Sequence, residues 1–124
     1  MQHSTFDQAE FRFGDHGPGY LLRGPRTDIG IVQLTPGTDA SNHYHAGIEE
    51  TFYVLEGAAT LWINCTDRYE LSMGDVYQAE PGEMHYFVNH SDQLFRAIFV
   101  KAPYAPADGV QVPWTEGDPV PETR

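Results

Sequence analysis

Three histidines and an acidic pair stand at spacings that suit a metal site. His43 and His45 are two residues apart. On an extended strand such positions project from one face, about 6.5 Å apart along the chain, so two imidazoles there can converge on one ion. A His-x-His pair alone is also a common accident of a polar strand face. Here a short connection, Ala46-Gly47-Ile48, leads on to Glu49-Glu50 at the head of an apolar run. A carboxylate there can fold back beside the two rings if the connection is a tight reversal. Neighbouring strand residues point to opposite faces, so only one of Glu49 and Glu50 can aim at the histidines. The flanking pattern leaves both open, because Phe52 and Val54 share one face while Tyr53 and Leu55 share the other. His85 lies on a distant run, after the Pro81-Gly82 turn. Three neutral imidazoles and one carboxylate suit a divalent first-row ion, Fe, Mn, Co, Ni, Cu or Zn, and do not choose among them.

The elements that must position these residues read as strands. Short apolar runs at 29–34, 51–56, 59–64, 69–72, 76–79, 84–88 and 94–100 are rich in Val, Ile, Tyr, Phe, Trp and Thr. They are cut by Pro36-Gly37, Gly57, Thr66-Asp67, Gly74-Asp75, Pro81-Gly82 and the 89–92 stretch. Gly and Pro supply the backbone shapes that reverse a chain between strands. No run sustains a helical period, so the expectation is an all-β sandwich or barrel, with its core at 28–102. Residues 1–27 read as a loose N-terminal arm that can add one strand around Tyr20-Leu21-Leu22. Residues 103–124 form an acidic tail holding five of the nine prolines. Proline lacks the ladder donor, so this tail is not a central strand. It is read either as extended over the barrel with Trp114 as anchor or as a disordered end.

The same residues resemble the cupins, in their small single-domain, metal-binding, bacterial-like form. One cupin motif is a Gly, five residues, His-x-His, three or four residues, Glu, six residues and a Gly. Gly37, His43, His45, Glu50 and Gly57 meet every spacing. The other runs Gly, five residues, Pro-x-Gly, two residues, His, three residues, Asn, and Gly74, Gly82, His85 and Asn89 fit in register. Glu80 stands where the proline is expected, and Pro81 follows it. The resemblance implies a double-stranded β-helix, a jelly-roll barrel, whose metal ligands are His43, His45, Glu50 and His85. The spacing to Gly57 selects Glu50 over Glu49.

Composition bounds what such a barrel can do. The 124 residues suffice for one domain with one core. Against 18 Asp and Glu stand 7 Lys and Arg, a formal charge of −11, which disfavours nucleic acid and anionic membranes as partners. One pocket arginine would still admit a small anion. Cys65 is the lone cysteine, so no internal disulfide forms, and no basic neighbour is evident to activate it. The opening MQHSTFDQAEF lacks a secretion signal's basic start and apolar stretch, and no apolar run reaches membrane-spanning length, so a cytoplasmic setting is expected. His3, His16 and His90 are read as surface residues and Asp75 and Asn89 as structural, while Arg96 is read either as binding a carboxylate in the cavity or as pairing with an acidic neighbour on the outer face. Gln33, Tyr53, Trp62, Phe87 and Phe95 are read as lining either the cavity or the core.

Four protein ligands leave two positions open on an octahedral ion. The leading expectation is a metal-dependent enzyme for a small oxygenated molecule (a sugar, keto acid or hydroxy acid) using Lewis-acid isomerase, epimerase or lyase chemistry. In it, Glu50 or a metal-bound hydroxide carries the proton. The alternatives are a non-haem iron dioxygenase and a ligand-binding or sensing barrel without turnover. Both faces of TFYVLE are apolar, so a homodimer through one outer face is the expected assembly.

Overall fold

A computed structural model describes residues 1–122. Among them the only helical element is a 3-10 turn at Phe6–Gln8, and ten strands make up the rest of the regular structure. In chain order they are β1 (Gly17–Arg23), β2 (Asp28–Leu34), β3 (Asp39–His45), β4 (Glu49–Glu56), β5 (Ala58–Ile63), β6 (Asp67–Ser72), β7 (Val76–Ala79), β8 (His85–Val88), β9 (Phe95–Ala102) and β10 (Gly109–Gln111). They form two five-stranded sheets, ordered β1-β2-β9-β4-β7 and β10-β3-β8-β5-β6, with every pairing antiparallel. The all-β fold expected from the short apolar runs, and the jelly-roll barrel that the resemblance implies, are observed. No helix among the described residues is long and apolar enough to cross a membrane.

The sheets face each other over one core. Val32, Leu34, Phe52, Val54, Phe95, Ala97 and Phe99 come from the first sheet, and Ala40, Leu61, Leu71 and Phe87 from the second. β4 shows how the period of two builds it. Glu50, Phe52 and Val54 are buried, Glu49 and Tyr53 are exposed, and Thr51 and Leu55 are half-buried. A fully buried Phe such as Phe95 contributes about 1.5–3 kcal/mol relative to an exposed one. β8 is buried on both faces because His85 and Phe87 point into the barrel while Tyr86 and Val88 lie under the tail. There Trp114 packs edge-on against Trp62 and Tyr86.

Both flanks contact the barrel. β1 pairs with β2 at a sheet edge, and β10 pairs with the histidine-bearing strand β3. Within the arm, Phe11 and Gly14 form a bridge, and the Arg12 N–H donates to the Pro18 carbonyl at 3.0 Å. Residues 123 and 124 of the tail lie outside the described residues. The turn after β4 depends on Gly57. Its φ of 76° is a left-handed value, and a Cβ there would stand 2.1 Å from the Leu94 carbonyl oxygen.

Candidate metal centre

The centre is assembled from three strands and one reversal. β3 turns His43 and His45 inward, with Asn42 and Tyr44 on its opposite face. His43 is the register partner of His85 on β8, so those two rings meet directly, with centroids 4.3 Å apart. The 46–48 connection then reverses the chain onto β4 in the other sheet. Its Gly47 and Ile48 N–H groups both donate to the Asp108 carboxylate, at 2.8 and 3.1 Å, so the tail clamps the turn. The Gly82 N–H donates to the His45 carbonyl at 2.8 Å, tying the Pro81-Gly82 turn to the same end of the barrel. Glu80, in place of a motif proline, leaves that turn intact. Glu50, first of the inward residues of β4, reaches across to the rings, and Glu49 is exposed outside.

One Glu50 oxygen, Oε1, lies 3.1 Å from Nε2 of both His45 and His85. The ligand atoms of His43, His45, Glu50 and His85 all fall within 4.8 Å of one another. Atoms bound at right angles to one ion at about 2.1 Å sit about 3.0 Å apart, so the two 3.1 Å spacings suit a shared cation. Three of the four residues are buried, and His43 is half-buried toward the opening. The Nδ1 atoms of His43 and His85 lie 2.8 and 3.3 Å from the carbonyls of Ser41 and Glu83. This contact type orients the two rings toward the cluster. Nδ1 of His45 is buried without a partner.

The electrostatics favour the protonation states a ligand set needs. Burial, reinforced by the neighbouring His85, lowers the His43 imidazole to about 3, so the ring is neutral at ordinary pH. Burial acts to raise the Glu50 carboxyl, but hydrogen bonds from His45 and His85 outweigh it. Glu50 is therefore held well below the usual carboxylate range. A neutral His43 nitrogen and an ionised Glu50 carboxylate are donors a divalent transition ion takes, and the four-residue cluster could hold one. His43, Glu50 and His85 line a cavity walled by Phe52, Phe87 and Phe99, and His45 lines the adjoining cavity that shares His43.

The remaining singled-out residues sort by face. Asn89, fully buried, donates from its amide to the carbonyls of Leu34 and Gln93 at 2.9 and 2.8 Å, a structural role. Asp75 accepts from the Ser72 N–H in the β6–β7 turn. Arg96 lies outside, with its Nε donating to Gln33 at 2.8 Å and standing 3.4 Å from Glu56. Gln33 is thus on the outer surface and lines neither the cavity nor the core. Tyr53 is half-exposed, Trp62 bonds Glu116 on the outer face, and His90 meets the same Glu116. Cys65 is buried, and that burial pushes its thiol up, away from the reactive thiolate.

Sequence reasoning missed Lys101, the chain's only lysine. It is 9% exposed and faces inward from β9, between its register partners Asp28 on β2 and Glu50 on β4. The signal was present: Phe95, Ala97, Phe99 and Lys101 share the inward period, whereas Arg96 falls on the other face.

Comparison with known proteins agrees with this geometry. The curated protein "Tetracenomycin polyketide synthase protein TcmJ" from Streptomyces glaucescens is 26% identical over 78 residues, 63% of this chain. The chain spans about half the length of that relative, with 52% of it aligned. Among solved structures, an uncharacterised conserved protein with a double-stranded β-helix domain from Klebsiella pneumoniae superposes with a TM-score of 0.80 at 21% identity. That match covers 92% of this chain and 99% of the other. A predicted oxalate decarboxylase from Thermotoga maritima superposes at 0.71 and 20% identity, covering 82% and 99%. The model of the cupin domain matches residues 30–101, a span that contains β3, β4 and β8 with all four converging side chains. More than half of the sequence, both motifs and the barrel itself thus agree, and the chain belongs to the cupin domain family.

Proposed function

We propose that the protein is a metal-dependent enzyme acting on a small oxygenated molecule, a sugar, keto acid or hydroxy acid, by isomerase, epimerase or lyase chemistry. The observation that supports this most is the convergence of three imidazoles and one buried carboxylate beside an open cavity with aromatic residues in its wall. His43, His45, Glu50 and His85 would hold the ion. A divalent ion held there supplies Lewis-acid polarisation of a chelating carbonyl or hydroxyl. The chain's own residues do the rest. Phe52, Phe87 and Phe99 line the cavity beside His43, Glu50 and His85 and would exclude water from them. Glu50 is stabilised as a carboxylate by two imidazoles, which supports a ligand role and makes it a weak base for proton transfer. The predicted oxalate decarboxylase among the similar structures is compatible with such chemistry on this fold, and the fold alone does not assign it.

The test is metal analysis of untagged protein followed by a substrate screen chosen by the metal found. Turnover without oxygen consumption by metal-loaded protein is the expected result. Iron together with substrate-driven oxygen uptake would replace this reading with a dioxygenase. Metal without turnover, and ligands that only raise the melting temperature, would replace it with a binding or sensing barrel. A second copy of the chain remains the proposed partner of the outer β4 face, where Tyr53 is half-exposed beside Val76 of β7. Light scattering at the mass of a monomer would remove that part of the proposal.

A further inference from the structure

The chain carries few cations, and the described ones are not evenly satisfied. Arg23, Arg68 and Arg96 each face a carboxylate within 4 Å, at 3.8, 2.8 and 3.4 Å. Among the described residues Lys101, Arg12 and Arg26 have no such partner, and of these Lys101 and Arg12 line the two cavities that share His43. Lys101 is the more telling. A buried ammonium is costly unless paired and hydrogen-bonded. The protein gives this one a single hydrogen bond, to the Tyr20 hydroxyl at 2.7 Å, and the ring faces of Tyr20 and Phe99 at 5.1 and 5.3 Å. An ammonium has more donors than that one bond uses. Its register places it beside Glu50, so it stands at the metal floor rather than at a remote surface. Arg12 reaches the same opening from the arm, where its N–H bond to Pro18 fixes the reversal that presents it.

We propose that Lys101 and Arg12 form an anion subsite that selects a small carboxylate whose neighbouring oxygen reaches the metal centre, a 2-oxo or 2-hydroxy carboxylate. This rests on the metal-dependent reading of the same cavity and narrows its substrate class from oxygenated molecules in general to carboxylates. The charge arithmetic favours it. A protein of net charge −11 repels anions from its surface, so two cations set at one cavity with no carboxylate within 4 Å, Lys101 meeting the Glu50 charge only at longer range, are placed for a charged ligand. One buried ammonium and one exposed guanidinium match a monocarboxylate, and the aromatic walls suit a short carbon chain rather than a polyol. The competing role for Lys101 is a fixed counter-charge to its register neighbours Asp28 and Glu50, which predicts no preference among ligands.

The experiment compares pyruvate with hydroxyacetone, which keeps the ketone and lacks the negative charge, by titration calorimetry of the cobalt-loaded protein. Inorganic phosphate serves as competitor, and metal content is measured on the same samples. Pyruvate is expected to bind about tenfold or more tightly than hydroxyacetone, the usual advantage of a hydrogen bond to a charged group. Lys101→Met should bring that ratio to within about twofold of unity at unchanged metal stoichiometry. Arg12→Gln, an exposed change that leaves the barrel untouched, should lower the ratio part of the way. An unchanged ratio in both variants would overturn the subsite and leave Lys101 a counter-charge. Phosphate competing as well as a carboxylate would overturn the carboxylate assignment. Wild-type protein that retains no cobalt would overturn the metal reading instead, and the pyruvate preference of that same sample would still decide the subsite.

Discussion

Replacing His45 with Ala probes the centre with a magnitude that the structure sets. The ring is 5% exposed and its Nε2 lies 3.1 Å from Glu50 Oε1. Without metal, His45→Ala removes one of the two imidazoles that stabilise the buried Glu50 carboxylate, a loss of about 1–3 kcal/mol. A variant of this single-domain protein should survive that loss as a folded barrel, because the Phe-rich core lies beneath the site and is untouched. With metal the difference widens. An ion present at a hundred times its dissociation constant stabilises the wild type by about 2.7 kcal/mol. For a domain of this size that is a rise of about 10 °C in Tm. Paired thermal melts with chelator and with excess metal, followed by circular dichroism, separate the two effects. The wild type should gain about 10 °C and the variant less than about 2 °C, with both showing the same β-sheet spectrum. A metal-induced rise in His45→Ala equal to that of the wild type would refute the assignment of His45 to the centre.

Other outcomes follow from the same structure. The His43 imidazole is lowered from 6.5 to about 3 in the folded chain, so the unfolded chain binds that proton more readily. The metal-free protein should therefore lose stability as pH falls from 6.5 toward 3, by up to about 1.4 kcal/mol per pH unit from this group. Urea midpoints should show that slope reduced in His43→Gln, and an identical slope would refute it. Trp114→Ala should cost about 3 kcal/mol through lost packing on Trp62 and Tyr86. It should also expose the tail to limited proteolysis, and a protease-resistant variant would contradict the anchoring role. Gly57→Ala should destabilise by more than about 1 kcal/mol, since a Cβ meets the Leu94 carbonyl at a left-handed φ. A neutral result in a denaturation curve would show that the turn can relax.

Much of this architecture was legible because period-two alternation and Gly/Pro punctuation are local signals. β2, β4, β5, β7, β8 and β9 fall where the apolar runs stand, and the motif spacing chose Glu50 correctly over Glu49 for the inward face. What stayed hidden depends on contacts distant in sequence. The ambiguity of β4, with apolar residues on both faces, is resolved only by the second sheet, which covers Phe52 and Val54 and leaves Tyr53 half-exposed. The clamp of Asp108 on the 46–48 reversal joins residues about sixty positions apart and leaves no local trace. Gln33 was placed outside by its bond to Arg96 from another strand. Lys101 was legible in principle. Attention fell on Arg96 as the charge in an apolar strand, while the inward alternation of Phe95, Ala97 and Phe99 pointed to Lys101.

His43, His45, Glu50 and His85 could together hold a divalent transition ion, and elemental analysis of the protein purified without a metal-affinity tag, alongside His85→Ala prepared the same way, tests whether they do. About one ion per chain in the wild type and next to none in the variant is the predicted result. A wild type free of transition metal that also fails to take one up on dialysis would contradict the account.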